Sequence, residues 1–314
     1  MENRTEIQKE CIKLNRLINK NLFRNYFFPN KKDLFTKIFT SIDVIEDTQG
    51  AIDEFQNIPD NLIPKRTTLY IYGVLQAMYC QQDGVQHLYQ SIFEENKSNK
   101  EKTNIYKLFV SKNTDNKIRI IRDDIAGHPA DRNRGKEFYF IAKGSNTKHK
   151  FTYAGYTPEY KQIDVNIKEL IEEQEHFVIS VLSDIEKGIT TRITNHKKQF
   201  MDTKLTDYIE ELEGCKRLII KGVFDRFFGI DTNIFEEEFV NLKTELNKRY
   251  FNNIPESVDS IFNKIYYILE RINYWDKNKV SSEDIEVDII LESFEFQLTE
   301  LNDILVEIDN EFKK

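Results

Sequence analysis

The sequence predicts a mainly α-helical protein with one inserted β-hairpin, and three observations support this prediction. Apolar residues recur at intervals of three and four along most of the 314-residue chain, which is the spacing of one face of an α-helix. Only 11 glycines and 6 prolines are present, so long uninterrupted helices are expected. A single stretch, between Glu137 and Val165, replaces this spacing with aromatic and β-branched residues.

Five helices are predicted before that stretch. The apolar stripes of the first three begin at Ile7, Leu34 and Ile71, the fourth helix is a short one over 104–111, and the stripe of the fifth begins at Ile118. The length of the chain allows two domains, each with its own core. These five helices are expected to form the N-terminal bundle.

Gln82 lies on the apolar face of the third helix, where a hydrophobic residue is expected. A polar side chain in a buried position needs a hydrogen-bond partner. Gln82 and its neighbour Asp83 are therefore predicted to support the site described below, with Arg122, His128 or a neighbouring backbone group as the partner of Gln82.

The segment 137–156 is predicted to be a β-hairpin inserted into the helical bundle. Its strands are Phe138–Ile141 and Phe151–Tyr153, and Gly144-Ser145-Asn146 between them is a turn sequence. Because side chains alternate between the two faces of a strand, at least half of these aromatic residues should be buried. The hairpin is either an element that guides RNA or an ordinary exposed hairpin.

Basic residues accompany the hairpin. Residues 131–150 contain six Lys and Arg against two Asp and Glu. Basic groups bind phosphates and aromatic rings stack on unpaired bases, which favours RNA as the partner. The candidate RNA-binding residues are Arg119, Arg132, Arg134, Lys136, Lys143, Lys148 and Lys150.

Helical spacing resumes at Ile167 and continues to the end of the chain. Two apolar stripes mark the last part, one formed by Val258, Ile261, Ile265, Ile268 and Ile272 and the other by Phe294, Leu298, Leu301, Leu305 and Ile308. We expect a helical domain over 1–203 that contains the hairpin, and an acidic helical domain over 204–314.

Charge is distributed unevenly between the two halves of the chain. Residues 1–150 carry 25 Lys and Arg against 19 Asp and Glu, whereas residues 151–314 carry 20 against 34. The net charge of −8 therefore conceals a basic half and an acidic half. Such asymmetry indicates an electrostatic partner for the basic half. The acidic part is expected to bind a protein partner or to restrain the basic half.

The composition also predicts where the protein works. No window is apolar enough to cross a membrane, and the charged N-terminus is unlike a signal peptide. Cys11, Cys80 and Cys215 are far apart and lack metal-ligand spacing, so they are expected to be small core residues of a cytoplasmic protein. The sequence contains no cofactor-binding motif, and no cofactor or metal is expected.

The most distinctive chemistry lies between Arg122 and His128. The predicted fifth helix ends at Gly127 and Pro129, which places Arg122 and Asp123 in its last turns and His128 just beyond them. A chain reversal at Gly127 would bring the histidine back toward the arginine. A structural alternative is that Arg122 pairs with Asp115 or Asp131 and that His128 interacts with the helix dipole.

This segment resembles the active-site motif of HEPN-family ribonucleases, in which an arginine is followed by a polar residue and, after four to six residues, by a histidine. Arg122, Asp123 and His128 match that pattern with a spacing of five residues. The resemblance implies a helical bundle over about the first 200 residues, with the hairpin as an insertion. It also implies a homodimer whose two motifs line one cleft.

The resemblance further implies metal-independent cleavage of RNA by its own 2′-hydroxyl group, in a bacterial toxin or phage-defence role. Histidine can carry a proton near neutral pH, and a guanidinium can stabilise charge on the phosphate. Arg122, Asp123 and His128 are therefore the candidate catalytic residues, with Asp123 as the positioning group. The alternative is a non-catalytic HEPN-like module that acts as an adaptor or antitoxin-like subunit.

Overall fold

The structure is a computed structural model that describes residues 4–20, 24, 32–59, 67–127, 129–130, 132–143, 146–156, 159–224, 232–278 and 285–313. This part of the chain forms ten α-helices and one small antiparallel sheet. The predicted fold class, mainly α with an inserted hairpin, is confirmed. No described helix combines the length and the hydrophobicity needed to span a membrane.

The elements of the first part follow the chain in this order: α1 (Glu6–Ile18), α2 (Lys32–Asn57), α3 (Thr67–Phe93), α4 (Ile105–Ser111), α5 (Lys117–Arg122), a π-helical turn (Asp123–Gly127), β1 (Phe138–Ile141), β2 (Lys150–Tyr156), β3 (Tyr160–Asn166) and α6 (Ile167–Lys198). Four further helices complete the chain: α7 (Leu205–Phe224), α8 (Asn233–Tyr250), α9 (Glu256–Asn278) and α10 (Ile285–Lys313).

The sheet has one strand more than the sequence predicts. β1 and β2 form the expected hairpin, and β3 pairs with β2 in antiparallel orientation. Five consecutive residues of β3, from Tyr160 to Asp164, are exposed. Along these five residues, exposed polar side chains do not alternate with buried apolar ones. β3 therefore lacks the pattern that identifies a half-buried strand.

The described chain divides into two compact units. The first is built from residues 4–20 and 32–190, and the second mainly from residues 191–313. The division falls within α6, whereas the sequence predicts a boundary at 203/204. A continuous helix gives no composition shift at such a point, so the sequence offers only the next loop as a boundary.

The core of the N-terminal unit lies between helices and the inner face of the sheet. Phe151, Tyr153 and Val165 point inward from the strands and pack with apolar residues of α2, α3, α5 and α6. These side chains are at most 6% exposed. Phe151 and Tyr153 of β2 therefore serve the core, as the alternation predicts.

A chain of hydrogen-bonded amides crosses this core. The guanidinium of Arg119 donates to Gln82 (2.9 Å), and Gln82 donates to Gln174 (2.8 Å). Gln174 donates to Gln81 (2.9 Å), and Gln81 donates to Gln49 (3.0 Å). The four glutamines are buried, and they come from α2, α3 and α6. We call this series, from Arg119 to Asp53 at its far end, the amide chain.

The two ends of the amide chain fix its direction. Arg119 can only donate, while the Asp53 carboxylate accepts from Gln49 at 2.8 Å. Every amide between them therefore donates in the same sense. Burial raises the pKa of Asp53, and burial together with the charge of Asp53 raises the pKa of Glu175 beside it. Four helices of the unit are joined by this one series of bonds.

The C-terminal unit has its own core, formed by α7, α8, α9 and α10. Both predicted apolar stripes are buried in it. Asp309 of α10 accepts hydrogen bonds from the backbone N–H groups of Leu205 (3.0 Å) and Thr206 (3.1 Å), and so caps the start of α7. Arg249, itself fully buried, pairs with the same carboxylate at 3.0 Å.

The cysteines depart from expectation in one respect. All three are free thiols, but only Cys11 is a core residue. Burial, with the nearby carboxylates of Glu46 and Glu10, raises the pKa of the Cys11 thiol to about 12. Cys80 and Cys215 are half-buried.

Replacement of Gln174 by leucine tests the amide chain. The Gln174→Leu variant would leave the Nε2 group of Gln82 and the side-chain oxygen of Gln81 without these partners in an apolar core. We expect the free energy of unfolding to fall by about 2 kcal/mol or more in urea denaturation. Gln56→Leu, at an exposed position of α2, is the matched control. Equal stability of the two variants would show that the amide chain is not a stabilising feature.

Candidate active site

Arg122 ends α5 with its guanidinium group fixed from several directions. Its Nε donates to Gln76 (3.0 Å) and its Nη1 donates to Asp123 (2.9 Å). Its Cζ lies 4.4 Å from the centroid of the Tyr79 ring. The side chain is still 22% exposed, so a ligand can reach it from solvent. For the described part of the chain, Nη2 has no hydrogen-bond partner.

Tyr79 holds a second arginine as well. The Cζ atom of Arg119 lies 4.1 Å from the same ring centroid, because Arg119 and Arg122 are three residues apart on one side of α5. Arg119 is also the first member of the amide chain. The tyrosine ring therefore links the buried polar core to the candidate catalytic arginine.

The backbone changes from α-helix to a π-helical turn directly after Arg122. Such turns often occur at functional sites, since they widen the helix and redirect side chains. Gly127 closes the turn, and a Cβ atom there would lie 2.9 Å from Nη1 of Arg122 and 3.1 Å from Oδ1 of Asp123. A larger residue at position 127 would therefore displace the Arg122 guanidinium from its observed position.

Two adjacent aspartates connect this turn to the segment before β1. Arg132 pairs with Asp124 through Nε (2.9 Å) and lies 3.6 Å from Asp123 through Nη1. Asp123 is thus shared between Arg122 and Arg132. Asp124 is only 4% exposed and also accepts a hydrogen bond from the hydroxyl of Tyr153 (3.2 Å).

Burial is the main cause of the pKa shifts in this cluster. It raises the pKa of Asp124 despite the lowering influence of Arg132. It also raises the pKa of Tyr153 and, together with a hydrogen bond to Glu137, that of Tyr139 to about 12. Both phenols are therefore neutral hydrogen-bond donors at neutral pH, and they fix the carboxylates of Asp124 and Glu137.

The third predicted catalytic residue, His128, lies outside the described residues, and so does Asp131. The structure brings together Arg122 and Asp123, which are hydrogen-bonded. Asp115, a predicted alternative partner of Arg122, instead pairs with Lys117 (2.9 Å). The arginine therefore belongs to a local cluster with Gln76, Tyr79 and Asp123.

Two of the predicted RNA-binding residues, Arg119 and Lys148, make structural contacts within the protein. Arg119 is 7% exposed, and its guanidinium pairs with Asp83 and Gln82 in addition to Tyr79. Lys148 is 8% exposed, and its ammonium donates to the backbone carbonyls of Gln56 (2.5 Å) and Ile58 (2.6 Å) at the end of α2. Contacts within the protein bury both side chains in this structure, and their binding to RNA stays a prediction.

The other predicted RNA-binding residues are more accessible. Arg134, Lys136, Lys143 and Lys150 are exposed, and Arg132 is half-buried by its pairing with the two aspartates. Arg134 lies in a tight turn with a φ of 59°, between the backbone hydrogen bonds that join Arg132 and Glu137. Four free-standing basic side chains thus remain near the sheet as candidates for phosphate contacts.

The predicted supporting residues Gln82 and Asp83 contact Arg119, which lies one helical turn before Arg122. Among the described residues, Gln82 bonds to Arg119 and Gln174 rather than to Arg122 or a backbone group, and Asp83 pairs with Arg119. Their effect on Arg122 is exerted through Arg119 and the shared Tyr79 ring. Both are positioning residues in this arrangement.

Sequence reasoning missed several members of the cluster. Gln76 and Tyr79 are distant in sequence from the motif, and only a three-dimensional packing of α3 on α5 reveals them. Asp124 could have been identified from the sequence, since an aspartate beside the apolar Ile125 is expected to be buried and to need a charged partner. That partner, Arg132, follows eight residues later.

For the residues that the structure describes, no group of three His, Cys, Asp or Glu side chains is arranged to hold a metal ion. Comparison of the chain with protein-family models, with curated proteins and with solved structures finds no match. The functional argument therefore depends on the residues of the site.

The structural role of Lys148 leads to a stability test. Its ammonium donates hydrogen bonds to backbone carbonyl groups at the end of α2, where the helix itself offers them no partners. Lys148→Met should lower the free energy of unfolding by about 1–3 kcal/mol in urea denaturation. Lys143→Met, at an exposed position of the same hairpin, should leave it unchanged. A similar loss in both variants would refute this role.

Proposed function

We propose that the protein is a metal-independent endoribonuclease that cleaves RNA through attack by the 2′-hydroxyl group. The observation that carries this proposal is the preorganised guanidinium of Arg122. It is held by Gln76, Asp123 and Tyr79, yet it remains partly exposed. A group fixed in this way needs no reorganisation when a charged substrate arrives.

Arg122 would act on the phosphate. Charge on the two non-bridging oxygens increases as the 2′-oxygen bonds to phosphorus and the bond to the 5′-oxygen breaks. A guanidinium donates charge-assisted hydrogen bonds to such oxygens, and Nη2 points to no described protein acceptor. The products are a 2′,3′-cyclic phosphate and a free 5′-hydroxyl.

His128 would transfer the protons in this scheme. One proton leaves the attacking 2′-hydroxyl and another reaches the departing 5′-oxygen, and imidazole serves either step near neutral pH. Asp123 would act as a positioning residue, because its carboxylate is hydrogen-bonded to Arg122 and lies near Arg132. A pair of subunits would supply two such motifs, as the HEPN resemblance implies.

The biological setting proposed for this activity is a bacterial toxin or phage-defence effector in the cytoplasm. The acidic second half of the chain would then bind a regulator or restrain the nuclease. The competing function is that of a non-catalytic helical adaptor. In that case the pairing of Arg122 and Arg132 with Asp123 would serve stability alone.

Cleavage of a mixed cellular RNA pool in EDTA separates these functions. The wild-type protein should cleave RNA and leave 2′,3′-cyclic phosphate ends. Arg122→Ala and His128→Ala should each lower the cleavage rate by about 100-fold or more, since each removes transition-state stabilisation or proton transfer.

Two exposed residues provide matched controls for this assay. Arg217→Ala on α7 and His87→Ala on α3 should cleave at the wild-type rate. Absence of cleavage by every form, or cleavage that survives in both motif variants, would favour the adaptor over the nuclease.

Gly127→Ala probes the position of the guanidinium without removing it. The added methyl group would meet Nη1 of Arg122 at 2.9 Å, and the flexible arginine can move away without unfolding the protein. We expect normal stability and a cleavage rate reduced by about 10-fold or more, because misplacement of a catalytic group is costly.

Gly73→Ala is the matched control for this variant, because a Cβ atom at Gly73 of α3 meets nothing within 4 Å. It should keep full activity and gain about 0.5–1 kcal/mol of stability, since alanine favours the helix. Full activity of Gly127→Ala would show that the observed position of Arg122 is unimportant for cleavage.

A further inference from the structure

The outer face of the sheet exposes four large aromatic side chains. They are Phe138 (46% exposed), Phe140 (48%), Tyr156 (53%) and Tyr160 (53%). Together they define the aromatic face. Single exposed apolar residues are common on proteins, but a contiguous group indicates a surface that binds a partner.

The strand register brings these four rings together. Phe138 is the cross-strand partner of Tyr156, and Tyr156 is the partner of Tyr160, so one row of rings crosses all three strands. The ring centroids of Tyr156 and Tyr160 are 5.5 Å apart. Phe140 lies in the next row, opposite the small Ala154.

The core does not need these rings. Phe151 and Tyr153 of β2 fill the inner face and are each 2% exposed, and Tyr139 packs against them from β1. The aromatic face belongs to the opposite side of the same strands by alternation. Its rings are therefore available to a ligand.

Positive charge borders the aromatic face. Lys150 begins β2 on the outer side, Lys136 lies two residues before the start of β1, and Lys143 follows β1. All three are exposed. Asp164 is the acidic residue of this face, and its carboxylate accepts a hydrogen bond from the Thr152 hydroxyl (2.6 Å).

The aromatic face is connected to the candidate active site through the backbone. The N–H of Tyr139 in β1 donates to the carbonyl of Pro129 (2.8 Å), just beyond the motif. Arg132 joins the segment before β1 to Asp123 and Asp124. β1, which carries two rings of the aromatic face, is therefore hydrogen-bonded to the segment that follows the candidate catalytic residues.

We propose that the aromatic face binds single-stranded RNA by stacking unpaired bases on Phe138, Tyr156 and Tyr160, while the bordering lysines contact phosphates. This inference rests on the proposed nuclease function for the identity of the sugar, and it names the substrate class as unpaired RNA. Every base has a face that can stack on an aromatic ring, whereas the bases of a duplex are covered by their neighbours. The basic border complements the phosphates of a polyanion, and the exposed rings complement its unpaired bases, so one ligand uses both features of this face.

Binding is tested in the full chain with the Arg122→Ala substitution, so that cleavage does not consume the probe. Fluorescence anisotropy would follow a labelled single-stranded RNA of about 12 nucleotides, beside a duplex of the same sequence. Phe138→Ala combined with Tyr156→Ala should raise the Kd for the single strand by at least about 10-fold. Phe138→Tyr combined with Tyr156→Phe should retain the affinity, because the rings remain.

Phe296→Ala is the matched control, since Phe296 is 63% exposed on α10, outside the sheet. It should bind RNA as tightly as the Arg122→Ala parent. Circular dichroism of each variant would confirm that the helices are intact. Affinity for the duplex equal to that for the single strand, or an unchanged Kd in the double alanine variant, would overturn the proposal.

The two proposals fail in distinguishable ways. Ring-dependent RNA binding without cleavage by the wild type would support the aromatic face and refute the nuclease. Cleavage by the wild type, together with RNA binding that does not depend on the rings, would support the nuclease and refute the role of the aromatic face. No RNA binding, with a dimer that becomes a monomer in the double alanine variant by sedimentation, would assign the aromatic face to contact between copies and overturn its role in RNA binding.

Discussion

The amide chain from Arg119 to Asp53 is the constraint on which the N-terminal unit depends. Burial of four glutamines is unfavourable unless each amide is paired, so the helices that carry them must keep one register. The guanidinium at one end and the carboxylate at the other allow only one direction of donation. A shift of α3 by one residue would break several bonds at once. The amide chain therefore specifies the register of the helices in this core, which apolar packing alone does not do.

The position of the candidate active site follows from that constraint. Arg119 is held by Gln82 and Asp83 and lies over Tyr79, which fixes the rotation of α5 on α3. Arg122 then meets the same ring one helical turn later. The π-helical turn and Gly127 make room for its guanidinium, and Arg132 connects the turn to the sheet. The precision of the site is thus derived from buried contacts rather than from the exposed residues themselves.

The sequence was sufficient for features that repeat along the chain. Helical spacing predicted the helices and the buried stripes of α9 and α10, because burial of one face leaves a periodic signal. Aromatic and β-branched residues on either side of a turn sequence predicted the β1–β2 hairpin. The sequence was insufficient where long-range pairing decides the outcome. β3 is exposed and has no apolar alternation, and Tyr79 joins the site only because α3 packs on α5. Arg119 and Lys148 looked like surface cations, yet each meets an acceptor far away in the sequence, Asp83 or the end of α2.

Those two cations also change how the charge of this chain is interpreted. A count of basic residues treats all seven candidates alike, whereas Arg119 and Lys148 are buried and Arg132 is balanced by two aspartates. The charge that can act on a ligand comes from Arg134, Lys136, Lys143 and Lys150, all of them near the sheet. Because exposed rings occur on the same sheet, charge and stacking coincide there. It is this coincidence, rather than the net charge of the half-chain, that argues for an unpaired polyanion as the ligand.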